Sequence, residues 1–280
     1  MNPTGVSFLC TWENLTDVNP PQGFLYDANW PALPNTFAQL VQQAPGRLAT
    51  VADRTSPKRG LVLAVEVQPG DSCGWGEGER AEAAYMLDAN AQALPVTEAN
   101  GHEQYVLSVC VDPTWNMPAK NTQTGMWTWG IFFQLHSPNQ FSSPPAFALS
   151  LTNVFGVNLL GGDLMAAGVM RPAAQFPLTN AAVPLGQWVE FFIDVMWSYT
   201  NGHITVLRRD VGESKFVPVF SQTGPTLQFN SSVPDSQGPG FAHYWRCGYY
   251  RSTIGYVTSK LKIGPIARGV NPTAVLQSAL

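Results

Sequence analysis

The chain has 280 residues, of which 45% are apolar, 11% aromatic and only 12% charged, with nine Trp. The charged fraction is about half that of an ordinary globular protein, which argues against a disordered chain and against a coiled coil. A net charge of −4 supplies no field for non-specific binding, so neither nucleic acid nor membrane insertion is expected.

The opening MNPTGVSFLCTWENL has no basic stretch followed by an apolar run, so no secretory leader is expected in this sequence. Either a leader has been removed or the protein leaves its cell by another route, such as inside a virus particle. The expected location is therefore extracellular or in a virion. Residues 1–55 are rich in Pro and Asn, with one short helix expected at Thr36–Gln43, and are read as N-terminal strands and loops that complete a sandwich. From Gly60 strand signals become frequent. Gly60–Gln68 reads as a strand, closed by a turn at Pro69–Gly70, and Tyr105–Asp112 and Trp127–His136 follow. Further strands are expected at Phe147–Leu151, Trp188–Trp197, His203–Arg208, Tyr244–Arg251 and Val257–Ile263, separated by Pro, Gly, Asn and Ser clusters. The 25 Gly and 23 Pro suit this strand-and-turn pattern. The spacing is that of two packed antiparallel sheets in an all-β fold, with a core over 56–268 and a tail over 269–280. The stretch Asn121–Gly162 carries no formal charge, but Pro, Asn, Gln and Ser break it before a membrane span can accumulate.

Alternation within three strands is informative, because successive side chains point to opposite faces. Gln134 and His136 share one face of their strand, and Arg80 and Glu82 share one face of theirs. In Tyr244–Arg251 the even set is Tyr244, Arg246, Gly248 and Tyr250, whereas the odd set, Trp245, Cys247, Tyr249 and Arg251, reads mostly as core. Three strands thus each turn a polar, titratable set to one side.

These residues resemble the signature strands of the jelly-roll polysaccharide lyases, a group that includes alginate lyases, glucuronan lyases and heparin-lyase-I-like enzymes. The resemblance rests on Arg80-Ala81-Glu82, Gln134-Leu135-His136 and Tyr244-Trp245-Arg246-Cys247-Gly248-Tyr249-Tyr250, in that order. Trp188–Trp197 is similar to the family's Trp-led strand before a hairpin. The resemblance implies a concanavalin A-like β-jelly-roll sandwich and β-elimination at a uronic acid. Arg80 and Gln134 would hold the substrate carboxylate, His136 would act as base, and Tyr250 would protonate the leaving oxygen. Glu82, Tyr244, Arg246 and Arg251 would bind substrate, with Arg246 standing where the family has Lys. The implied partner is an acidic polysaccharide or cell-surface glycan. The pattern departs from the alginate lyases at Ala84, where an Arg often stands, and at Arg251 and Ser252, which follow the catalytic Tyr.

Several features stay open on sequence alone. Arg80 and Glu82 can equally form an ion-pair ladder, and His136 can be a hydrogen-bonded surface residue. Trp12, Trp30, Trp75, Trp115 and Trp127 fit either packing or sugar stacking. Gly161-Gly162-Asp163 fits a turn better than a structural calcium site, and no other metal or cofactor is expected. The scattered Cys10, Cys73, Cys110 and Cys247 read as free buried thiols rather than a zinc site, with disulfides left open. The Glu-x-Asp-x-Glu strand of retaining sandwich glycosidases does not occur, nor does a Gly-x-Ser-x-Gly elbow or a phosphate-cradling loop. The competing function is a non-catalytic glycan-binding or structural jelly roll of a virion, such as a phage tail or decoration protein, assembled as a homo-oligomer.

Overall fold

The computed structural model describes residues 6–10, 24–27, 36–44, 46–55, 59–72, 78–88, 101–120, 125, 127–136, 145–159, 164–166, 169–171, 174–198, 201–226, 244–253, 257–269 and 271. Side chains of the first three strands, of residues 84–88, 164–166, 169–171 and 174–175, and of His136 and Tyr244 lie outside that description. Every regular element among the described residues is a strand.

Among the described residues, one sheet has nine strands. Its path runs through β16 (Val217–Gly224), β15 (Gly202–Asp210), β14 (Trp188–Met196), β7 (His102–Val111), β18 (Ser259–Ile263), β5 (Leu61–Val67) and β4 (Leu48–Ala52). Along the side of β7 where β18 pairs, β19 (Ile266–Gly269) also pairs, and it carries β1 (Val6–Cys10). The second sheet orders β13 (Ala174–Ala182), β10 (Val154–Leu159), β9 (Phe147–Leu151), β8 (Gly130–His136), β17 (Tyr244–Arg251), β6 (Glu79–Asp88), β3 (Thr36–Gln42) and β2 (Phe24–Asp27). A small ribbon pairs β11 (Leu164–Ala166) with β12 (Val169–Arg171). All pairings are antiparallel, and the two sheets form the expected concanavalin A-like jelly-roll sandwich.

Period-two alternation builds the core between the sheets. Tyr105, Leu107 and Val109 of β7, with Val189, Phe191 and Ile193 of β14, face Phe133, Leu135, Phe147 and Leu149 of the second sheet. Tyr105 meets Phe133 edge-on at 5.9 Å, and Phe132, Phe155 and Phe191 make a further aromatic cluster. Burying side chains of this size is worth about 1.5–3 kcal/mol each.

Two expectations are corrected. Thr36–Gln43 is not helical: Thr36–Gln42 is strand β3, hydrogen-bonded between β2 and β6. The apolar spacing of this short segment fits either period, and pairing with the β6 edge decides it. In β8 the alternation does not run unbroken. A bulge between Ile131 and Phe133 puts Ile131 opposite both Tyr250 and Ser150, and Phe132 joins Phe133 in the core. The tail expected from Gly269 begins within β19, and residues 272–280 lie outside the described set. Cys110 and Cys247 are free, as expected, and Cys247 is buried. The Cys10 and Cys73 side chains lie outside the described residues.

A carboxylate sits inside this apolar layer. Glu103 accepts hydrogen bonds from Tyr105 (2.8 Å) and Trp197 (3.0 Å) and pairs with Arg268. Burial by itself would raise its pKa, but the Arg268 charge and the bonds from Trp197, Arg268 and Tyr105 outweigh it, so the group titrates below the ordinary carboxylate range. A depressed folded-state pKa stabilises the fold above the unfolded value and loses that contribution as pH falls through the folded one. Glu103→Gln should therefore cost about 1–3 kcal/mol at neutral pH. The gap to the wild type should narrow in acid, as measured by urea midpoints at neutral and acidic pH.

Candidate active site

The candidate site is built on three adjacent strands, β6, β17 and β8. The Pro69–Gly70 turn, with Gly70 at φ +89°, anchors the start of β6. Gly70 N donates to Glu79 Oε1 (2.7 Å) and Arg80 N donates to Asp71 O (2.8 Å). Asp71 is itself gripped by Arg47 Nε (2.7 Å) and Gln68 N (2.7 Å). The backbone that carries Arg80 is thereby fixed before the strand begins.

Register then decides which side chains meet. Tyr250 lies opposite Arg80, Gly248 opposite Glu82, Arg246 opposite Gln134, and Tyr244 opposite His136. Directly opposed residues share a face, so Arg80, Glu82, Gln134, Arg246 and Tyr250 project to the side of the sheet away from the core. By backbone position His136 and Tyr244 belong to the same face. The Arg80 guanidinium stacks on the Tyr250 ring, 3.7 Å from its centroid. Glu82 accepts a hydrogen bond from Gln134 Nε2 at 2.5 Å and lies 3.9 Å from Arg80 Nη1. Arg80, Glu82, Gln134 and Arg246 are buried, and Tyr250 is half-buried. Charges and amide dipoles held in such an environment act on one another, and on a bound group, more strongly than in water.

Gly248 makes this approach feasible. Its φ of +143° suits glycine, and a Cβ there would lie 2.2 Å from Ala81 O and 2.6 Å from Glu82 Cα. Gly78, at φ +108°, has no room for a Cβ either, since one would meet Arg251 O at 2.4 Å and Tyr250 Cε2 at 2.8 Å. Trp129 packs edge-on to Tyr250 from another side at 4.6 Å. The phenol ring is therefore held by Arg80, Trp129 and the bare Gly78 backbone.

Arg251 is the expected site residue that the structure places elsewhere. It projects to the opposite side of β17, fully buried, where it bonds Glu79 (2.8 Å), Ser259 Oγ (2.7 Å) and Val257 O (2.6 Å). The physical reason is phase: it is odd-numbered like Tyr249, whose hydroxyl donates to Leu151 O (2.8 Å) in the core. Burial pulls the Arg251 pKa down, and the charge of Glu79 opposes that pull. Glu82, expected to contact substrate, directs its carboxylate at Gln134.

Exposure sorts two of the tryptophans. Trp115 is buried and donates to Thr152 O (2.8 Å), a packing role. Trp127 is 71% exposed, carries the Lys120 ammonium 4.6 Å over its ring, and rims a cavity of about 320 Å³ lined by Trp129, Ser150, Gly156 and Asn158. Ser150 faces Ile131, which faces Tyr250, so the cavity adjoins the site on the same face. Its exposure in the fold distinguishes Trp127 from Trp115, a difference the sequence does not show. Trp12, Trp30 and Trp75, and the Gly161-Gly162-Asp163 segment considered for calcium, lie outside the described residues.

A family model described as polysaccharide lyase matches residues 29–266. The chain belongs to the polysaccharide lyase family. It is a lyase that acts on a polysaccharide, and this membership does not favour the alternative of a non-catalytic virion module. No curated protein matches it. Among solved structures it is similar to the family 7 alginate lyase A1-II′ in complex with product, with 11% identity, 80% of this chain and 81% of that chain covered, and a TM-score of 0.48. An alginate lyase from Zobellia galactanivorans gives 13% identity, coverage of 75% and 78%, and a TM-score of 0.46. The catalytic domain of a glycoside hydrolase family 131 protein from Coprinopsis cinerea gives 15%, 76%, 71% and 0.42.

The placement of Arg251 separates a structural role from a binding one. Arg251→Ala leaves Glu79 buried without its cation and should cost about 3–5 kcal/mol of stability. A Glu79→Leu/Arg251→Met double variant should recover much of that loss in denaturant midpoints, because no lone charge remains. A substrate-binding arginine would give no such recovery.

Proposed function

We propose that this polysaccharide lyase cleaves a uronic-acid-containing polysaccharide by β-elimination, with Arg80, Gln134, His136 and Tyr250 as its catalytic residues. The observation that carries the proposal is the shared register of β6, β17 and β8. It gathers a guanidinium, a carboxamide and a phenol on one face, with the imidazole-bearing position His136 on that face too. Such a substrate is a cell-surface or secreted glycan, so the enzyme's work lies outside the cytoplasm.

The chemistry assigns each group a task. A base removes the proton at C5, beside the uronate carboxylate. The electron pair left behind forms the C4–C5 double bond, and the C4–O bond breaks. Negative charge builds on the carboxylate in the transition state, where Arg80 and an amide hydrogen of Gln134 stabilise it. Gln134 has two N–H donors, and Glu82 engages one of them. Glu82 is thus a positioning residue that aims the other. His136 takes the C5 proton, and the Tyr250 hydroxyl protonates the departing oxygen. Arg246, next to Gln134 in register, binds the carboxylate of a neighbouring sugar. Trp127 and Lys120, beyond Trp129, offer a stacking ring and a cation for a sugar farther along the chain.

Elimination leaves a conjugated double bond that absorbs in the ultraviolet, so the test is absorbance across a panel of uronans. Tyr250→Phe and His136→Ala should each lower kcat by about 10²–10⁴, and Arg80→Ala by about 10²–10³. Retention of full activity in Tyr250→Phe would refute its role as acid.

Trp127→Ala should behave differently. It should raise KM for long oligosaccharides about tenfold, the effect of losing one stacking contact. The kcat should stay near wild type, and KM should be unaffected for the shortest cleavable substrate.

A further inference from the structure

On the other sheet, far in register from the polar face of β17, three side chains converge from neighbouring strands. His102 begins β7, Asp194 lies near the end of β14, and His203 is the second residue of β15. Both histidines lie opposite Met196, two residues beyond Asp194 on the same face. That face is the outward one, since Ile193 and Val195, which alternate with them, enter the core. The two imidazoles approach the carboxylate from opposite sides. His102 Nε2 is 2.7 Å from Asp194 Oδ1, and His203 Nε2 is 3.0 Å from Asp194 Oδ2. Their ring centroids are 6.0 Å apart, and all the donor atoms lie within 4.8 Å of one another.

We propose that His102, Asp194 and His203 form a binding site for one divalent transition-metal ion of the zinc type. Two imidazoles with one carboxylate suit zinc, cobalt, nickel or copper, whereas calcium and magnesium call for oxygen ligands. Donor atoms around tetrahedral zinc, with bonds of about 2.0–2.1 Å, stand about 3.3 Å apart. The observed 2.7 and 3.0 Å separations, which run to the two different oxygens of Asp194, open by a few tenths of an ångström, and the widest donor separation, within 4.8 Å, closes by up to about 1.5 Å. Side chains that are 46% and 33% exposed can make that adjustment by small χ rotations.

The surroundings support the assignment. Gln104, buried on β7 and opposite Asp194, donates Nε2–H to Asp194 Oδ1 at 2.8 Å. This bond fixes the carboxylate plane, as outer groups do around metal ligands. Each imidazole would take the ion through Nε2 with its one proton on Nδ1, and a ring that is protonated beforehand would release its second proton to solvent. Three protein donors leave a fourth position open towards water on the His102 side. The site ties β7, β14 and β15 together on the outer face of their sheet, so its role is to brace that sheet rather than to join the elimination chemistry.

The test uses the full chain, freed of metal with a chelator and titrated with Zn²⁺ by calorimetry and thermal unfolding. One Zn²⁺ should bind per chain, and the unfolding midpoint should rise by about 5 °C at a hundredfold excess over Kd. Co²⁺ should develop the intense visible absorption of a four-coordinate nitrogen–oxygen site. In H102A/H203A, whose changes fall on partly exposed side chains, the stoichiometric binding and the cobalt spectrum should vanish while the metal-free midpoint stays near wild type. Two results would overturn the proposal: no Zn²⁺ binding by the wild type, which leaves a hydrogen-bonded triad only, or undiminished binding in H102A/H203A, which puts the metal elsewhere.

Discussion

The candidate site depends on the position of one strand. β17 is hydrogen-bonded on one side to β6 and on the other to β8, and its own even-numbered residues supply Arg246 and Tyr250. Because the side-chain period is two, a slip of one residue along either edge would send Arg80 or Gln134 into the core and bring an apolar neighbour out. Register on both edges is held by the odd-numbered residues. Trp245, Cys247 and Tyr249 are buried against the other sheet, and Tyr249 is locked by its bond to Leu151 O. The core thereby fixes the reactive face without contributing an atom to it.

The geometry also explains how an arginine, a glutamine and a tyrosine are kept in fixed positions in a partly desolvated place. Arg80 is spread over the Tyr250 ring and Gln134 is tied to Glu82, so each polar group has a neighbour that restrains its rotation. Groups positioned in advance need little reorganisation when charge develops on a substrate, which is where electrostatic catalysis gains its effect. The missing Cβ atoms at Gly78 and Gly248 belong to the same device. Each lets backbone approach where a side chain would push Tyr250 or β6 away.

Much of this was legible from the sequence, for a physical reason. Strands flanked by turn residues and buried on one face carry a period-two signal, and Phe147–Leu151 and Tyr244–Arg251 emerge with the expected bounds. The in-phase pairs Arg80 with Glu82 and Arg246 with Tyr250 follow from that same alternation. The signal fails where the pattern is interrupted or weak. The bulge at Ile131 breaks the phase within β8, and the short apolar spacing at Thr36–Gln42 fits helix and strand alike. Arg251 shows the remaining difficulty. Composition marks an arginine as a surface or binding group although its phase puts it with the core set, and the facing Glu79 and Ser259 show how its charge is met there. The strands Val154–Leu159, Ala174–Ala182 and Val217–Gly224 carry Gly, Pro, Asn and Thr, which read as turns until their neighbours are known. The His102–Asp194–His203 cluster spans about a hundred residues of chain and exists only through strand order, so no local pattern could announce it.

The remaining tension is electrostatic: a chain of net charge −4 for which a polyanionic substrate is proposed. It resolves when the acids are located. Glu66 is paired with Arg47 and Lys260, Glu79 with Arg251, Glu103 with Arg268, Glu190 with Arg59 and Arg209, and Asp210 with Arg208. These pairs lie in the core, on the opposite sheet or at its margins, and their fields largely cancel beyond a few ångströms. Among the described side chains on the face of β6, β17 and β8, Arg80 and Arg246 stand against one carboxylate, that of Glu82, which is already bonded to Gln134. Lys120 adds a cation at the Trp127 rim. Salt screens exposed charges over about 8–10 Å, so a polyanion seated on this face responds to these groups and little to the distant acids. Local placement, and not net charge, therefore sets the sign of the field the substrate meets.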